Sequence, residues 1–334
     1  MALIPGQKVL RVRVGKHSRL IPLAGDDTTS GRVLANPRGA IYKSENKGET
    51  WGQIRTTDYV FVLQYLGAGE VIYTSYASSS IIYKSTNYGD SWSTVYTHTR
   101  NLISLVDLGG GILLMGEAGQ TGVNNASVLK SIDNGDNWSL SGTITRNDGD
   151  ANIVIIRSLC LMDDGGIVAG VTSTYNGGSK GLVYRSYDQG ATWSYVTTII
   201  TGAYQYGFTG IISLGAGVLL GWASHGLYKS INYGSTWTSV AASGNCVILA
   251  GSTLYAGIGA SIYKSEDSGD TWTILYSFSG SVTALEYLGY GVLLAGIATY
   301  NLLYKSTDHG VTWAMKADFA NAEFLSIEYI EDEY

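Results

Sequence analysis

Residues 42–51 read Tyr-Lys-Ser-Glu-Asn-Lys-Gly-Glu-Thr-Trp, and variants of this stretch recur six more times along the 334-residue chain. We call each copy a box; the shared pattern is Ser-x-Asp/Asn-x-Gly-x-x-Trp, and successive box serines lie 35 to 55 residues apart. A period of roughly 40–45 residues with strand-like runs between turns is typical of four-stranded propeller blades. The boxes therefore predict an all-β, single seven-bladed β-propeller. They occupy residues 42–51, 83–92, 129–138, 184–193, 228–237, 263–272 and 304–313.

The residue types of the box suit a tight turn. An Asp or Asn at its centre can accept hydrogen bonds from nearby backbone N–H groups. The glycine suits a position with positive φ, and the tryptophan can bury its ring between blades if its N–H finds a partner. We therefore assign the box residues to folding and not to ligand binding. The central residues are Asn46, Asn87, Asp133, Asp188, Asn232, Asp267 and Asp308.

This pattern resembles the Asp box, or BNR repeat, of sialidases, sortilin-type receptors, some xyloglucanases and the photosystem II assembly factor of cyanobacteria and plastids. The resemblance covers residues 41–313. It implies that the boxes are structural turns remote from the ligand site. It also implies that ligands bind on the opposite face, which carries the second-to-third strand loops and the links between blades.

The two ends of the repeat predict how the propeller closes. Residues 323–330 follow the last box and match the first strand of blade 7, with Glu328 at the place of Glu286. Residues 31–35 precede the first box and match a second strand that lacks a first one. We expect the C-terminal strand to complete the N-terminal blade, because this closure removes open sheet edges.

Residues 1–25 lie outside the repeat, and we interpret them as an attachment arm on a propeller of residues 26–334. The segment holds five basic residues and no acid, whereas the rest of the chain has 16 basic and 27 acidic residues. Its alternating apolar and polar residues predict a β-hairpin. The segment resembles the starts of some phage tail and fibre proteins, which implies attachment to a virion or another assembly, including a homo-oligomer. The alternative is a hairpin packed on the propeller rim.

Composition excludes several classes of function. No run approaches the roughly 18 apolar residues of a membrane span, and the start lacks a signal-peptide core, so we expect cytoplasmic synthesis and no membrane insertion. No contiguous basic face suggests nucleic-acid binding. Cys160 and Cys246 lie in apolar runs and are predicted to be free, buried thiols. The four histidines lack metal-ligand spacing, and no cofactor is expected. Residues 147–150, Asn-Asp-Gly-Asp, could bind Ca²⁺ or form an ordinary polar turn.

The predicted ligand face has unequal loops in blades 3 to 5, at residues 117–127, 142–152, 171–181 and 198–207. Uneven loops on a regular scaffold are where function is usually located. Their aromatic and amide side chains suit a glycan, because apolar sugar faces stack on rings while hydroxyl groups take hydrogen bonds. The alternative for Trp222 is that its ring fills space between blades. The candidates are Tyr175, Asn176, Tyr204, Tyr206, Trp222 and His225.

Three arginines, Arg55, Arg100 and Arg146, lie in successive links between blades. A cluster of planar guanidinium groups can bind a carboxylate or phosphate in bidentate fashion. The alternative is solvated loop charges, or local ion pairs of little energetic weight. The acids available for such pairs are Asp58, Asp148 and Asp150.

Enzymatic activity is not predicted with these residues. The sialidase resemblance implies three substrate-binding arginines, a Tyr–Glu pair and an acid/base Asp after an early Arg-Ile-Pro. This chain has Arg-Leu-Ile-Pro at 19–22 and no arginine after Arg185. Another glycosidase needs two carboxyl groups about 5–10 Å apart, for which the sequence offers Glu117 with Asp148 or Asp150. We therefore predict a non-enzymatic module that binds glycans or surfaces. The alternatives are a glycoside hydrolase acting on exposed polysaccharide and a protein-docking scaffold that uses the three arginines.

Overall fold

The computed structural model describes residues 9–14, 17–22, 31–37, 39–57, 59–76, 79–146, 153–175, 178–202, 207–223, 225–298, 301–319 and 324–330. Within these ranges the chain forms thirty β-strands and no helix, and hence no helix that could cross a bilayer. Twenty-eight of the strands make seven four-stranded antiparallel sheets. The chain is thus an all-β, seven-bladed propeller, and the predicted fold class is confirmed.

The strands follow one another as meanders from the inside of each blade to the outside. The N-terminal hairpin is β1 (Val9–Val14) and β2 (His17–Pro22), and blade 1 contains β3 (Arg32–Pro37), β4 (Ala40–Ser44), β5 (Gly52–Thr56) and the C-terminal strand β30 (Phe324–Ile330). Blade 2 is β6 (Tyr59–Gly67), β7 (Glu70–Tyr76), β8 (Ser80–Ser85) and β9 (Ser93–His98). Blade 3 is β10 (Leu102–Gly109), β11 (Ile112–Glu117), β12 (Asn125–Ser131) and β13 (Ser139–Thr145).

The remaining four blades use the same strand order. Blade 4 is β14 (Ile153–Leu161), β15 (Ile167–Tyr175), β16 (Gly178–Ser186) and β17 (Ser194–Gly202). Blade 5 is β18 (Gly210–Gly215), β19 (Val218–Ala223), β20 (Gly226–Ser230) and β21 (Thr238–Ala241). Blade 6 is β22 (Cys246–Ala250), β23 (Thr253–Ile258), β24 (Ser261–Ser265) and β25 (Thr273–Ser277). Blade 7 is β26 (Val282–Tyr287), β27 (Leu293–Ile297), β28 (Leu302–Ser306) and β29 (Ala314–Asp318).

The C-terminal strand closes the propeller as predicted. Strand β30 pairs antiparallel with β3, so that blade 1 has the order β30-β3-β4-β5. Glu328 lies opposite Leu34, as Glu286 lies opposite Leu294 in blade 7, which confirms the predicted alignment. The Glu328 carboxylate also accepts a hydrogen bond from the backbone N–H of Tyr65 in blade 2, at 3.1 Å. The C-terminal strand therefore contacts both β3 of its own blade and β6 of blade 2.

Each box forms the same hydrogen-bonded turn between the third and fourth strands. In blade 3, the Ser131 hydroxyl accepts from the N–H of Gly135 and donates to Asp133, both at 2.8 Å. Asp133 Oδ1 accepts from the N–H of Asn137 at 2.9 Å. The same three bonds recur in the other six boxes. Gly135 has φ of 90°, which favours glycine. The boxes thus form the tight turns that their residue types predict.

The box tryptophans pack as expected, with one exception in their hydrogen bonding. In six boxes the indole N–H donates to the carbonyl of the box glycine at 2.8–3.1 Å. Within the part of the chain that the structure describes, the buried indole nitrogen of Trp92 has no partner. Its ring instead packs edge-on against Tyr73, with 4.8 Å between ring centroids. Packing holds this seventh ring without the hydrogen bond.

The propeller has two different faces. On the first, the box turns contact the hairpins between first and second strands: the N–H of Tyr88 donates to the carbonyl of Gly69 at 2.7 Å, and that of His309 to Gly291 at 2.9 Å. We call this side the box face. The opposite side, the loop face, carries the second-to-third strand connections and the links between blades, as the sequence predicted.

Blade 4 corrects the prediction of long loops. Much of residues 171–181 and 198–207 is paired strand and not loop: β15 and β16 pair as far as Tyr175 and Gly178, and β17 continues to Gly202 opposite Ser179. Residues 125–127 and 142–145 are also strand. The Val, Ile and Thr residues in these ranges favour strand wherever a neighbouring strand pairs with them. All four strands of blade 4 have nine residues, so this blade rises above its neighbours on the loop face.

The N-terminal hairpin and the two thiols agree with the sequence in part. Strands β1 and β2 pair antiparallel with Val14 opposite His17, which confirms the predicted hairpin. Its role as an attachment arm stays a prediction.

Both cysteines are free; Cys160 is buried as expected, whereas Cys246 is half-buried. Desolvation raises the pKa of each thiol to about 12, so neither is a reactive thiolate at neutral pH.

Candidate functional site

A ring of charge pairs joins neighbouring blades on the box face. At four junctions the basic residue before a box serine reaches the acid that follows the box glycine of the next blade. The buried lysine side chains of these pairs are 3–9% exposed. The last pair closes the circle between blades 7 and 1. The pairs are Lys43–Asp90 at 2.6 Å, Lys84–Asp136 at 2.7 Å, Lys229–Asp270 at 2.6 Å and Lys305–Glu49 at 2.7 Å.

At the other three junctions the next box has no acid at that position. Lys130 donates instead to the Gln189 side chain at 2.8 Å. The Arg185 guanidinium reaches the Tyr233 carbonyl and, at 3.1 Å, the Ser235 hydroxyl. Lys264 has Val311 at the corresponding place and pairs within its own box with Glu266 at 2.7 Å; its side chain is 29% exposed. A box lysine is therefore buried at the junction where the next box has an acid after its glycine, and is more exposed where that acid is missing.

We expect Val311→Asp to complete the ring at the junction of blades 6 and 7. Val311 is 57% exposed, so the substitution buries no new group, and Lys264 gains a carboxylate across the junction. The expected gain is about 0.5–1 kcal/mol, which should disappear at about 1 M salt because such pairs are screened. Urea unfolding at low and high salt measures it, with Val311→Asn as the uncharged control. Equal effects of Asp and Asn would contradict the electrostatic explanation.

On the loop face, Glu117 is a buried carboxylate held by three donors. Its side chain is 1% exposed, and Oε2 lies 2.8 Å from His98 Nε2. Oε1 lies 2.5 Å from Arg100 Nη1 and accepts from the N–H of Ser127 at 2.7 Å. Burial alone would raise the pKa of Glu117, but the hydrogen bonds from His98 and Ser127 and the charge of Arg100 outweigh it and lower the pKa. The carboxylate thus stays ionised and ties the end of β11 to the link after β9 and to β12.

The three predicted arginines contact separate sets of partners, and Arg55 lies in strand β5 and not in a link between blades. Arg100 pairs with Glu117, whereas Arg146 is buried with Nη1 at 2.5 Å from the Ser173 hydroxyl. The Arg55 guanidinium lies over the rings of Tyr83 and Tyr73, at 4.5 and 5.6 Å from their centroids. Its Nε is buried without a hydrogen-bond partner in the described ranges. Asp58, Asp148 and Asp150, considered as their acidic partners, lie outside the residues that the structure describes.

The aromatic candidates are placed only in part. Trp222 is half-buried, and its ring lies so close to Gly210 that a Cβ at that glycine would be 1.9 Å from it. This contact supports the space-filling interpretation of Trp222. His225 is exposed in the turn between β19 and β20. The structure describes only the backbone of Tyr175, at the end of β15, whereas Asn176, Tyr204 and Tyr206 lie outside the described residues.

Sequence analysis missed two polar contacts of the loop face. His98 was not recognised as a partner of Glu117; the available signal was a lone glutamate ending the apolar strand β11. Thr172 lies in a predicted loop range but is a buried strand residue. Its hydroxyl accepts hydrogen bonds from Arg157 Nε and from the N–H of Gly207, both at 2.8 Å. These bonds anchor the segment that enters blade 5. Among the described residues no three His, Cys, Asp or Glu side chains form a metal-binding group, and residues 147–150 lie outside them.

Comparison with known proteins supports the fold alone. No family model and no curated protein matches the sequence. Among solved structures, the chain is similar to YCF48 bound to D1 peptide, with 13% identity over 96% of this chain and 98% of that chain and a TM-score of 0.59. A putative 6-phosphogluconolactonase from Bacteroides fragilis is 11% identical over 91% of this chain and 98% of that chain, with a TM-score of 0.65. The Hadza microbial sialidase Hz136 is 14% identical over 86% of this chain and 75% of that chain, with a TM-score of 0.51. All three are β-propellers of different activity, so the shared fold does not select a function.

Proposed function

We propose that this chain is a non-enzymatic binding module whose ligand surface is the loop face of blades 3 to 5. The setting of Glu117 carries the proposal. This carboxylate belongs to the carboxyl pairs that the sequence offers for glycoside hydrolysis, yet Arg100 and His98 pair with it and lower its pKa. A general acid must hold a proton near neutral pH, and an ion-paired buried carboxylate does not. Glu117 is therefore unsuited to the role of general acid, and its burial among three donors supports a structural role.

The shape of the loop face supports a binding role. Blade 4 rises above a regular scaffold because its strands are extended, and buried polar contacts fix its base. Rigid elements that carry connections of unequal length are suited to recognition. The box face, in contrast, repeats the same turn seven times. The geometry of that turn also supports placing the chain among the Asp-box propellers that its sequence resembles.

A surface glycan is the ligand class that we propose first. Tyr175 ends β15 and Asn176 follows it in sequence, while Tyr204 and Tyr206 come shortly after the end of β17. Both strands pair with β16. Ser179 of β16 lies opposite Thr174 on one side and Gly202 on the other, so the two tyrosine-bearing segments leave blade 4 at neighbouring points. Two aromatic and amide-bearing segments that start side by side suit a sugar with stacked and hydrogen-bonded faces.

A protein segment is the second candidate ligand. The similar propeller YCF48 is described as bound to a peptide. Such a ligand would bind at blades 1 and 2 instead of blades 3 to 5, where the aromatic-stacked guanidinium of Arg55 can take its carboxylates. In either case we propose that the module belongs to a larger assembly such as a virion, with residues 1–25 as its attachment. This last point rests on the composition and resemblance of the arm.

A glycan array with the full chain, together with a hydrolysis assay, tests the proposal. We expect binding without turnover, and at least tenfold weaker binding for Tyr204→Ala combined with Tyr206→Ala. The matched control is Tyr187→Ala with Tyr195→Ala, because these tyrosines are exposed away from the loop face. Turnover that Glu117→Gln abolishes would overturn the non-enzymatic proposal. If no glycan on the array binds, a sugar is excluded as the ligand and a protein segment remains. Arg55→Gln should then weaken binding of that protein segment.

A further inference from the structure

The box of blade 3 contains an Asn-Gly pair at the centre of its turn, Asn134 followed by the box glycine Gly135. In all seven boxes the residue before the glycine has a positive φ, between 50 and 60°. The other six boxes carry Lys, Tyr, Gln, Ser or His there, so the turn does not require asparagine. Those residues are Lys47, Tyr88, Gln189, Tyr233, Ser268 and His309. An asparagine before glycine is prone to deamidation, because glycine has no side chain to hinder attack by its own backbone nitrogen.

Deamidation of this pair uses only the chain and water. The backbone nitrogen of Gly135 forms a bond to Cγ of Asn134 and loses its proton, while the Cγ–Nδ2 bond breaks and ammonia leaves. A water molecule then opens the resulting succinimide ring and yields Asp or isoAsp, with no change of oxidation state. The nitrogen can attack only when its N–H is released from other partners and lies against Cγ. The hydrogen bonds of the box therefore decide whether the reaction occurs.

Both reacting groups have partners in the folded chain. The buried N–H of Gly135 donates to the Ser131 hydroxyl at 2.8 Å. Asn134 donates its side-chain Nδ2 to the Glu70 carboxylate of blade 2 and its backbone N–H to the Gly111 carbonyl, the latter at 2.8 Å. We propose that Asn134-Gly135 is a deamidation site that the folded box keeps closed, and that it reacts only when this turn opens locally. The modified fraction then records how often the box of blade 3 has opened.

The product of the reaction is incompatible with the junction between blades 2 and 3. Glu70, which accepts from Asn134, also pairs with Lys84 at 2.9 Å. The Lys84 side chain is only 3% exposed and also lies 2.7 Å from Asp136 of the same box. An Asp at position 134 replaces the amide donor with a second carboxylate against Glu70, and two carboxylates at one site repel each other. IsoAsp also lengthens the backbone of the turn by one carbon. A modified box therefore cannot close as before, and the opening becomes permanent.

Peptide mapping by mass spectrometry of the full chain, incubated in mildly alkaline buffer, tests this inference. We expect Asn134 to persist in the native chain and to convert to Asp and isoAsp in the urea-unfolded chain. Ser131→Ala removes the acceptor that holds the Gly135 N–H and should speed conversion of the native chain by about tenfold. Ser265→Ala is the matched control, because it removes the same bond from the box of blade 6 and should leave the rate at Asn134 unchanged. A native chain that converts as fast as the unfolded one, or equal acceleration by both variants, would overturn the proposal.

A second experiment tests the effect of the product on the junction. Asn134→Asp reproduces the main charge change and should lower the folding equilibrium constant in urea by about tenfold relative to Asn134→Ser. The serine variant is the neutral control, because it also lacks the amide donor and because box 6 carries Ser268 at this position. The difference between the two variants should shrink when each is combined with Glu70→Gln, which removes the facing charge. Equal stability of the Asp and Ser variants would show that deamidation leaves the junction intact and would contradict permanent opening.

Discussion

Deleting residues 323–334 is expected to abolish the cooperative fold, because it removes the inner strand of blade 1. Strand β30 contributes the antiparallel pairing with β3 and two buried side chains, Ile327 and Ile330, which are 5 and 0% exposed. Losing a buried isoleucine costs about 2–5 kcal/mol, and a whole domain is stable by only about 5–15 kcal/mol. The deletion also leaves the edge of β3 open for pairing with other chains.

Circular dichroism melts and urea unfolding would measure this effect. The matched control is deletion of residues 331–334, which leaves β30 complete and should melt like the full chain. A point variant, Ile330→Ala, should lower the free energy of unfolding by about 2–5 kcal/mol without removing the strand. If the chain lacking residues 323–334 melted at the temperature of the control, closure through β30 would not stabilise the propeller.

Glu117→Gln is expected to destabilise the loop face by about 2–3 kcal/mol. The substitution removes the charge that pairs with Arg100 and His98 but keeps the size of the side chain. Breaking one partner of a buried ion pair costs about 3–5 kcal/mol, and the figure is smaller here because Arg100 and His98 remain partly exposed to water. Glu266→Gln is the control, because that carboxylate is 72% exposed and its loss should have little effect.

The cost of Glu117→Gln should depend on pH. The folded pKa of Glu117 is lowered, so the ionised carboxylate stabilises the native state above its unfolded pKa, and this contribution is lost as pH falls through the folded pKa. The wild type and the variant should therefore differ fully near neutral pH and converge in acid, below the ordinary carboxyl pKa of about 4.3. Urea unfolding from pH 7 downwards measures the difference. A gap that stays constant into acid would mean that the charge of Glu117 is not what stabilises the site.

The sequence by itself determined the number of blades, the turn in each of them and the closure. Ser131, Asp133, Gly135 and Asn137 illustrate why: the hydrogen bonds that form the turn join residues at most four positions apart, so a short motif contains the whole turn. The register of each strand then follows from the fixed position of its box. The C-terminal strand β30 was identifiable as the first strand of blade 1 because every other blade has a first strand before its second, whereas the sequence before β3 has none that matches.

Only the tertiary structure decided what the loop face is made of. His98 and Ser127 reach Glu117 from positions 19 and 10 residues away, and no local pattern predicts which connections will meet above a blade. The boundary between strand and loop in blade 4 was also hidden, because Thr172 and Ser173 suit either state until a neighbouring strand pairs with them. The sequence suggested Trp222 as a ligand-binding ring, whereas the structure packs this ring against Gly210. The contact was not visible in the sequence because Gly210 lies on another strand. Turns are encoded within a few residues, whereas surfaces form between blades, and only folding brings blades together.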